Sequence, residues 1–475
     1  MTDPLLGALV GLLGARYAEP GAAAGERLAD KHRRYHGQAR AYVRPANTDE
    51  VAAVVRLCKA FDASVVVQGG NTGLMAAATP DASGRSVLLS LERMNRVREV
   101  DSANDTLTAE AGCILRHVQQ AAAGVGRLFP LSLGAEGSCT LGGNLGTNAG
   151  GTAVLRYGNT RELCLGLEVV TAEGEIWHGL RGLRKDNTGY ALRDLYIGSE
   201  GTLGIITAAT LKLFPQPSAR ATAYVAFGSL AQGIALLSHL RAGLSAGLTG
   251  FELMSAACLA LVGQQFPGSV LPFPRLQAPW YALLELSGYA SQGEAQAQLQ
   301  QVLESALEQG LISDASLAQS LAQSEAMWQL RENMSEAQAR EGRNMKHDIS
   351  LPLSRLEAFV ASTEQQLAEQ FPGVRHYTFG HLGDGNLHYN VAAPLGMSSE
   401  AHMARYAALS QVVHDNAHAH GGSISAEHGI GQRKRDLLPR YKSAVELQLM
   451  RRLKQALDPD NRLNPGKVIA LEPTP

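Results

Sequence analysis

The chain has 475 residues, 45% apolar and 18% charged, a globular composition long enough for two to three domains that excludes a disordered or fibrous protein. Forty-two Lys and Arg against 44 Asp and Glu leave a formal charge of −2, too balanced for the sequence-independent attraction that nucleic-acid binding rests on, so no nucleic-acid partner is expected. The five cysteines (Cys58, Cys113, Cys139, Cys164, Cys258) are odd in number, widely spread and form no C-x-x-C, so neither a thiolate zinc site nor a disulfide framework is readable, and a reducing, cytoplasmic setting fits best.

In chain order, the apolar run 5–13 lacks a basic flank and falls far short of the ~20 residues of a membrane span, so it reads as a short docking helix. Thr48 is placed to cap a helix Asp49 to Phe61, with Glu50 in its first turn. A buried strand, Ser64 to Val67, then ends in Gln68-Gly69-Gly70-Asn71-Thr72-Gly73. Strand Ser86 to Ser90 and the alternating stretch Asp105 to Ala111 lead to a second glycine-rich loop, Gly134 to Gly151. Strand Gly166 to Thr171, a hairpin at Glu173-Gly174, a third glycine cluster Gly198 to Gly204 and strand Leu211 to Phe214 follow. Pro215 and Pro217 mark a boundary. Beyond it, strands Ala221 to Phe227 and Trp280 to Leu286 are interleaved with amphipathic helices 290–309 and 315–340. A compact loop Ser423 to Gly431, a helix Ser443 to Leu457 and a proline-punctuated tail to Lys467 close the chain.

No G-x-G-x-x-G follows a strand and no Walker motif occurs, so nicotinamide and ATP sites lose ground. In 69–73, residues without side chains let backbone N–H groups converge on an anion, although the same residues also suit a simple strand-to-helix turn. Seven of the eighteen residues from Gly134 to Gly151 are glycine, too little bulk for the loop to bury itself. Loops of that length are functional or disordered, and the flanking apolar strands disfavour disorder. Its backbone amides, with Ser138, Thr140, Thr147 and Asn148, suit a large planar, phosphorylated cofactor.

The stretch Tyr377 to Asn390 alternates around Asp384-Gly385, a two-residue hairpin signal. That turn pairs His381 directly with His388, Cβ atoms ~4.5–5.5 Å apart, with Asn390 on the same face. Two such imidazoles can share a divalent ion, and Glu427, in Ser425-Ala426-Glu427-His428-Gly429, can complete three ligands with one position open. Two His and one carboxylate suit Zn, Mn or Fe(II) alike; otherwise the histidines are ordinary core or surface residues. Arg331 and Ser335 are i,i+4 neighbours on a helix that Gly342 ends before Lys346 opens a strand. They suit a carboxylate clamp, or a solvated face paired with Glu332 or Glu336. The cluster Arg433-Lys434-Arg435, with Arg440 and Lys442, reads as a solvated face or a dock for an acidic electron acceptor.

From about Ala41 to Lys467 the chain resembles the FAD-dependent D-2-hydroxyglutarate and D-lactate dehydrogenase family of vanillyl-alcohol-oxidase-type flavoproteins. The segments Gln68 to Leu74, Pro130 to Gly151, Gly198-Ser199-Glu200-Gly201-Thr202-Leu203-Gly204-Ile205-Ile206-Thr207 and the C-terminal motifs carry the resemblance. It implies an α+β fold: an N-terminal helical segment (1–36), a two-part FAD-binding domain (37–215), an α+β substrate or cap domain (216–425) and a C-terminal segment (426–475) returning to the FAD site. FAD pyrophosphate is expected on Gly69, Gly70, Asn71, Thr72, Gly73 and Leu74. The isoalloxazine is expected along Pro130, Leu133, Gly134, Ser138, Thr140, Gly142, Gly143, Asn144, Thr147, Asn148 and Gly150, with Glu200, Gly201, Ile206 and Asn464 also in contact. The resemblance assigns zinc to His381, His388 and Glu427, proton abstraction to His428, and substrate contacts to Arg331, Ser335 (often Thr in the family), Lys346, Asn390 and His428. Zinc on an α-hydroxyl lowers its pKa, so a neutral His can take the proton while hydride leaves for flavin N5.

Two departures stand out. Gln68 replaces a frequent Arg, which removes one charge near the phosphates. Asn71 stands where covalent members carry His, so non-covalent FAD is expected, Cys139 being the only nearby nucleophile. The expected reaction is oxidation of a D-2-hydroxy acid, first D-2-hydroxyglutarate because Arg331 and Lys346 offer charge for a diacid; D-lactate and D-malate are the close alternatives. The expected acceptor is an electron-transfer flavoprotein or quinone, and the expected assembly a homodimer. A non-catalytic flavin-binding electron-transfer subunit and a non-haem iron oxygenase are the remaining readings.

Overall fold

The computed structural model describes residues 3–471 and divides into two compact units. The first runs to Gly150, resumes over Gly158–Gln216 and takes up the chain again from Glu427; the second holds Gly151–Tyr157 and Pro217–Ala426.

The first unit opens with a helix Pro4–Leu13, capped by Asp3, where a short docking helix is expected. Strands β1 (Ala18–Pro20), β2 (Ala41–Val43), β3 (Ser64–Gln68) and β4 (Ser86–Ser90) form a sheet of order β1-β2-β4-β3, with β2 and β3 parallel to β4. Parallel strands need a crossover, and the helix Thr48–Ala60 supplies the one from β2 to β3, the two strands that flank β4. Its cap is Asn47, which accepts from the Glu50 N–H, rather than Thr48. Thr48 is already the first helical residue, and its hydroxyl donates to Glu168 instead. A second, antiparallel sheet of order β5-β6-β10-β8-β9 comprises β5 (Val97–Asp101), β6 (Thr106–Glu110), β8 (Cys164–Val170), β9 (Ile176–Gly179) and β10 (Ile205–Lys212). Short strands β7 (Arg127–Leu128) and β11 (Phe214–Pro215) pair separately. The expected long loop 134–151 contains a helix, Leu141–Thr147, ended by Asn148 in the left-handed conformation.

From Glu427 the chain rejoins this unit. The helix Ala444–Leu457 begins in a reciprocal Ser443/Glu446 capping box. Near its end the buried Lys454 ammonium pairs with Asp458 and donates to the carbonyls of Thr202 (2.7 Å) and Leu463 (2.8 Å), pinning the tail.

The second unit is built on one antiparallel sheet of order β15-β12-β14-β13-β17-β18-β16. Its strands are β12 (Ala219–Phe227), β13 (Leu248–Ser255), β14 (Trp280–Gly288), β15 (Asp314–Leu317), β16 (Asp348–Ser350), β17 (Arg375–His381) and β18 (Asn386–Ala392). Alternate residues of β12 face opposite cores. Ala221, Ala223, Val225 and Phe227 pack with Leu236, Leu240 and Leu299, whereas Tyr224 and Ala226 pack with Leu259, Met327 and Met334. Burial of both faces is why these strands read as largely apolar runs. The helix expected over 315–340 is instead strand β15 followed by helices Leu321–Glu332 and Met334–Glu341, because Ser320 caps a new start and Asn333 interrupts the run.

Candidate functional site

In the first unit the three glycine segments and the tail converge. A Cβ on Gly69 would stand 2.2 Å from Thr140 Oγ1, and one on Gly70 2.1 Å from the Ser138 carbonyl oxygen, so the first two loops meet only because these residues lack side chains. The Gly198 and Glu200 N–H groups donate to the carbonyls of Leu145 (2.9 Å) and Gly146 (2.8 Å), joining the third cluster to the second. Asn464 closes the group: its N–H donates to the Val65 carbonyl, and Nδ2 to those of Ala77 (3.0 Å) and Glu200 (2.6 Å). Asn71, Glu200 and Asn464 all have positive φ, strain that clusters at ligand clamps. Within these segments Thr79 Oγ1, Thr140 Oγ1 and Asn464 Oδ1 are buried with no hydrogen-bond partner among the described residues. Buried polar atoms normally have one, so the set fits a large ligand rich in donors and acceptors.

The Glu200 carboxylate accepts from the Ile430 (2.7 Å) and Gly431 (2.9 Å) N–H groups and so anchors the chain just beyond His428. Burial pushes its pKa up to about 7 despite those bonds. Burial likewise lowers Lys467, which donates to the Thr79 carbonyl, to about 8. Gln68 is buried and donates to the carbonyls of Arg27 (3.0 Å) and Ala78 (2.9 Å), supporting the first loop. The Cys139 thiol is buried and pushed up by that burial, which makes it a poor nucleophile. Only part of the basic cluster is a solvated face: Arg440 and Lys442 are exposed, but Arg433 donates to the Leu74 carbonyl (3.2 Å), Arg435 to that of Gly466 (2.8 Å), and Lys434 is buried. Arg433 and Arg435 tie the tail to the first glycine loop.

In the second unit the expected hairpin register is corrected. Phe379, not His381, pairs with His388, and Tyr377 pairs with Asn390. Leu382–Asp384 form a 3-10 turn ended by left-handed Gly385, where a Cβ would meet the Leu351 carbonyl at 2.1 Å. The shift is two residues, so the period of two keeps both histidines on one face, with ring centroids 5.8 Å apart. Each then faces an acid across the sheet, Glu252 for His381 and Asp348 for His388.

Glu252 is fully buried, and its two oxygens are divided. Oε1 accepts from His381 Nδ1 at 2.7 Å, and Oε2 accepts from Arg331 Nε and one terminal nitrogen, both at 2.8 Å. The Arg331 guanidinium also lies 4.8 Å from the Phe379 ring centroid. Burial alone would raise the Glu252 pKa, but the contacts with His381 and Arg331 outweigh it and hold the carboxyl below its ordinary value. A carboxylate can only accept, so Nδ1 of His381 carries a proton, and in the neutral imidazole the lone pair is then on Nε2, the arrangement second-sphere carboxylates impose on metal-binding histidines. His388 Nδ1 lies 3.7 Å from Asp348 Oδ1. Asp348 Oδ2 accepts from the Ala426 N–H at 3.1 Å, which fixes the chain immediately before Glu427 and His428. This donor chemistry fits a borderline divalent ion.

The remaining expected substrate residues come from separate elements. Arg331 is partnered by Glu252 rather than Glu332 or Glu336. Ser335 is exposed on the next helix, so the break at Asn333 undoes the single-helix i,i+4 pair. Lys346 is half-buried, two residues before Asp348. Asn390 is buried, donates to Gln338 Oε1 (2.9 Å) and accepts from the His347 N–H (3.3 Å).

Residues 39–179 match the family model described as FAD binding domain, and residues 216–468 match that of FAD linked oxidases, C-terminal domain. The chain belongs to the FAD-linked oxidase family. This FAD-dependent oxidoreductase is 40% identical over 438 residues to a mitochondrial D-2-hydroxyglutarate dehydrogenase of Bos taurus, covering 92% of the chain and 78% of the relative. It is 39% identical over 447 residues to a D-2-hydroxyglutarate dehydrogenase of Xanthomonas citri pv. viticola, covering 94% and 92%. Its fold is of the vanillyl-alcohol-oxidase type. Among solved structures, p-cresol methylhydroxylase with substrate bound aligns with a TM-score of 0.77 at 16% identity, covering 98% of this chain and 96% of that one. Alkyldihydroxyacetonephosphate synthase aligns at 0.74 and 16%, covering 98% and 86%. No helix of the described residues is long and apolar enough to cross a membrane.

Sequence reasoning misses Glu252 and Asp348. Glu252 nevertheless leaves a signal, as the single acid in the apolar strand Leu248–Ser255, where a buried carboxylate requires cationic partners.

Proposed function

We propose that this flavoprotein oxidises a D-2-hydroxy acid, D-2-hydroxyglutarate before D-lactate or D-malate, to the corresponding 2-oxo acid. The observation that supports the reading is the shared carboxylate of Glu252, which holds the Arg331 guanidinium and the His381 imidazole together, a pairing suited to a substrate carboxylate beside a divalent ion. The names of the relatives support the same substrate class. Bound FAD supplies the two-electron acceptor, and a divalent ion, zinc or Mn, held by His381, His388 and Glu427 supplies the Lewis acid. His428 takes the hydroxyl proton, a role suited to an imidazole near neutral pH. Arg331 and Lys346 hold the carboxylates of a diacid, with Ser335 and Asn390 as hydrogen-bonding partners. FAD is non-covalent, consistent with Asn71 donating to the Ala29 carbonyl and with the buried Cys139. Electrons then pass to an electron-transfer flavoprotein or quinone.

Steady-state assays with an artificial dye acceptor test the reading. D-2-hydroxyglutarate should give a kcat/KM at least tenfold above that of the monoacid D-lactate, and Lys346→Met should erase that preference. Equal kcat/KM for the monoacid would remove Lys346 from diacid recognition.

A further inference from the structure

We propose that Glu252 is a positioning residue that couples acid recognition to metal binding by orienting Arg331 and His381 at once. The inference rests on the reading above, in which Arg331 binds the substrate carboxylate and His381 binds the ion. Glu252 comes from the middle of β13, far in sequence from both partners, and has no exposed surface. It occupies the Nε edge of the Arg331 guanidinium, which leaves the outer edge, formed by the two terminal nitrogens, to meet a ligand carboxylate. Its other oxygen holds the His381 Nδ1 proton, which directs Nε2 away from the carboxylate.

A buried ion pair kept only for stability has no need of the imidazole. An apolar pair of similar volume commonly replaces such a pair without loss. Coupling makes a different prediction, because a glutamine at this position has one acceptor and one donor. Arg331 is permanently charged and claims the single oxygen, so His381 then faces an N–H group and loses its tautomeric control.

The test measures zinc affinity of the full-length, FAD-bound protein after chelator stripping, by titrating zinc chloride against a colorimetric chelator. Glu252→Gln is expected to weaken zinc binding ~10–100-fold, the usual effect of losing an outer-sphere partner. Arg331→Met alone should leave zinc affinity within about threefold while raising KM. The double variant Glu252→Gln/Arg331→Met should recover most of the lost affinity, because the glutamine oxygen can then turn to His381. Glu252→Leu/Arg331→Met has no acceptor and should stay weak, so the comparison of the two doubles holds even where the single Glu252→Gln chain folds poorly. Wild-type zinc affinity in Glu252→Gln, or doubles that bind zinc equally, would overturn the coupling. A wild-type protein that reduces its flavin with D-2-hydroxyglutarate but binds no zinc would overturn the metal reading and this inference together.

Discussion

Gly70→Ala should loosen FAD while leaving the chain folded. Gly70 does not have positive φ, so alanine meets no backbone penalty there and the whole effect comes from contact. The added carbon would stand 2.1 Å from the Ser138 carbonyl oxygen and 3.1 Å from Cys139 Cα, both backbone atoms that no rotamer change can move. Ordinary non-bonded separations are ~3.5 Å, so the two cofactor loops must part by more than about 1 Å. Overpacking of this kind costs ~1–3 kcal/mol. Felt wholly in the cofactor-bound state, that is about 5–150-fold in the FAD Kd. Gly73→Ala is the internal control, because a Cβ there meets nothing within 4 Å. Kd values from flavin fluorescence quenching, with thermal melts of both stripped proteins, separate binding from folding. Equal FAD affinity in the two variants would refute the placement of FAD across these loops.

Arg331→Ala should raise KM and lower kcat/KM at least tenfold, at ~1.5–3 kcal/mol for a charged hydrogen bond, and should lower Tm because the buried Glu252 carboxylate loses a partner; unchanged kinetics would remove Arg331 from the site. Folded Glu200 keeps its proton up to about pH 7 whereas the unfolded carboxyl loses it near the ordinary 4.5, so the folded state binds more protons in that window and stability falls as pH rises through it. The fall is on the order of 3 kcal/mol, and urea melts of Glu200→Gln across the same pH range should lack it. Lys454→Met should strand the buried Asp458 at a cost of ~3–5 kcal/mol and expose the tail to limited proteolysis, whereas a protease-resistant tail would show that the pin is dispensable.

The cofactor half of the molecule was legible because glycine spacing reports directly on where backbones approach. Gly69, Gly70, Gly201 and Gly204 mark contacts that a Cβ would crowd, and Asn464 closes the same group through its bond to the Glu200 carbonyl. The substrate half was read less well for reasons of long-range pairing. Asp384-Gly385 suggested a two-residue turn, but the Leu351 carbonyl packed against Gly385 supports a wider one, which nothing local announces. Both histidines kept their shared face only because the slip was an even number of residues. The partner of Arg331 lies 79 residues away, beyond the reach of helical spacing rules, so the neighbouring acids Glu332 and Glu336 were the wrong candidates. The basic run 433–435 looked like a solvated surface because sequence shows charge but not the carbonyls of Leu74 and Gly466 that its arginines meet.

The most direct test of the central claim is an anaerobic visible titration of the purified protein, following the oxidised flavin band as L- and then D-2-hydroxyglutarate is added, with and without a zinc chelator. Bleaching by the D-acid alone, abolished by the chelator and restored by zinc, is the predicted result. A yellow protein that neither enantiomer bleaches would contradict the proposed dehydrogenase and point to a flavin-binding subunit without this chemistry.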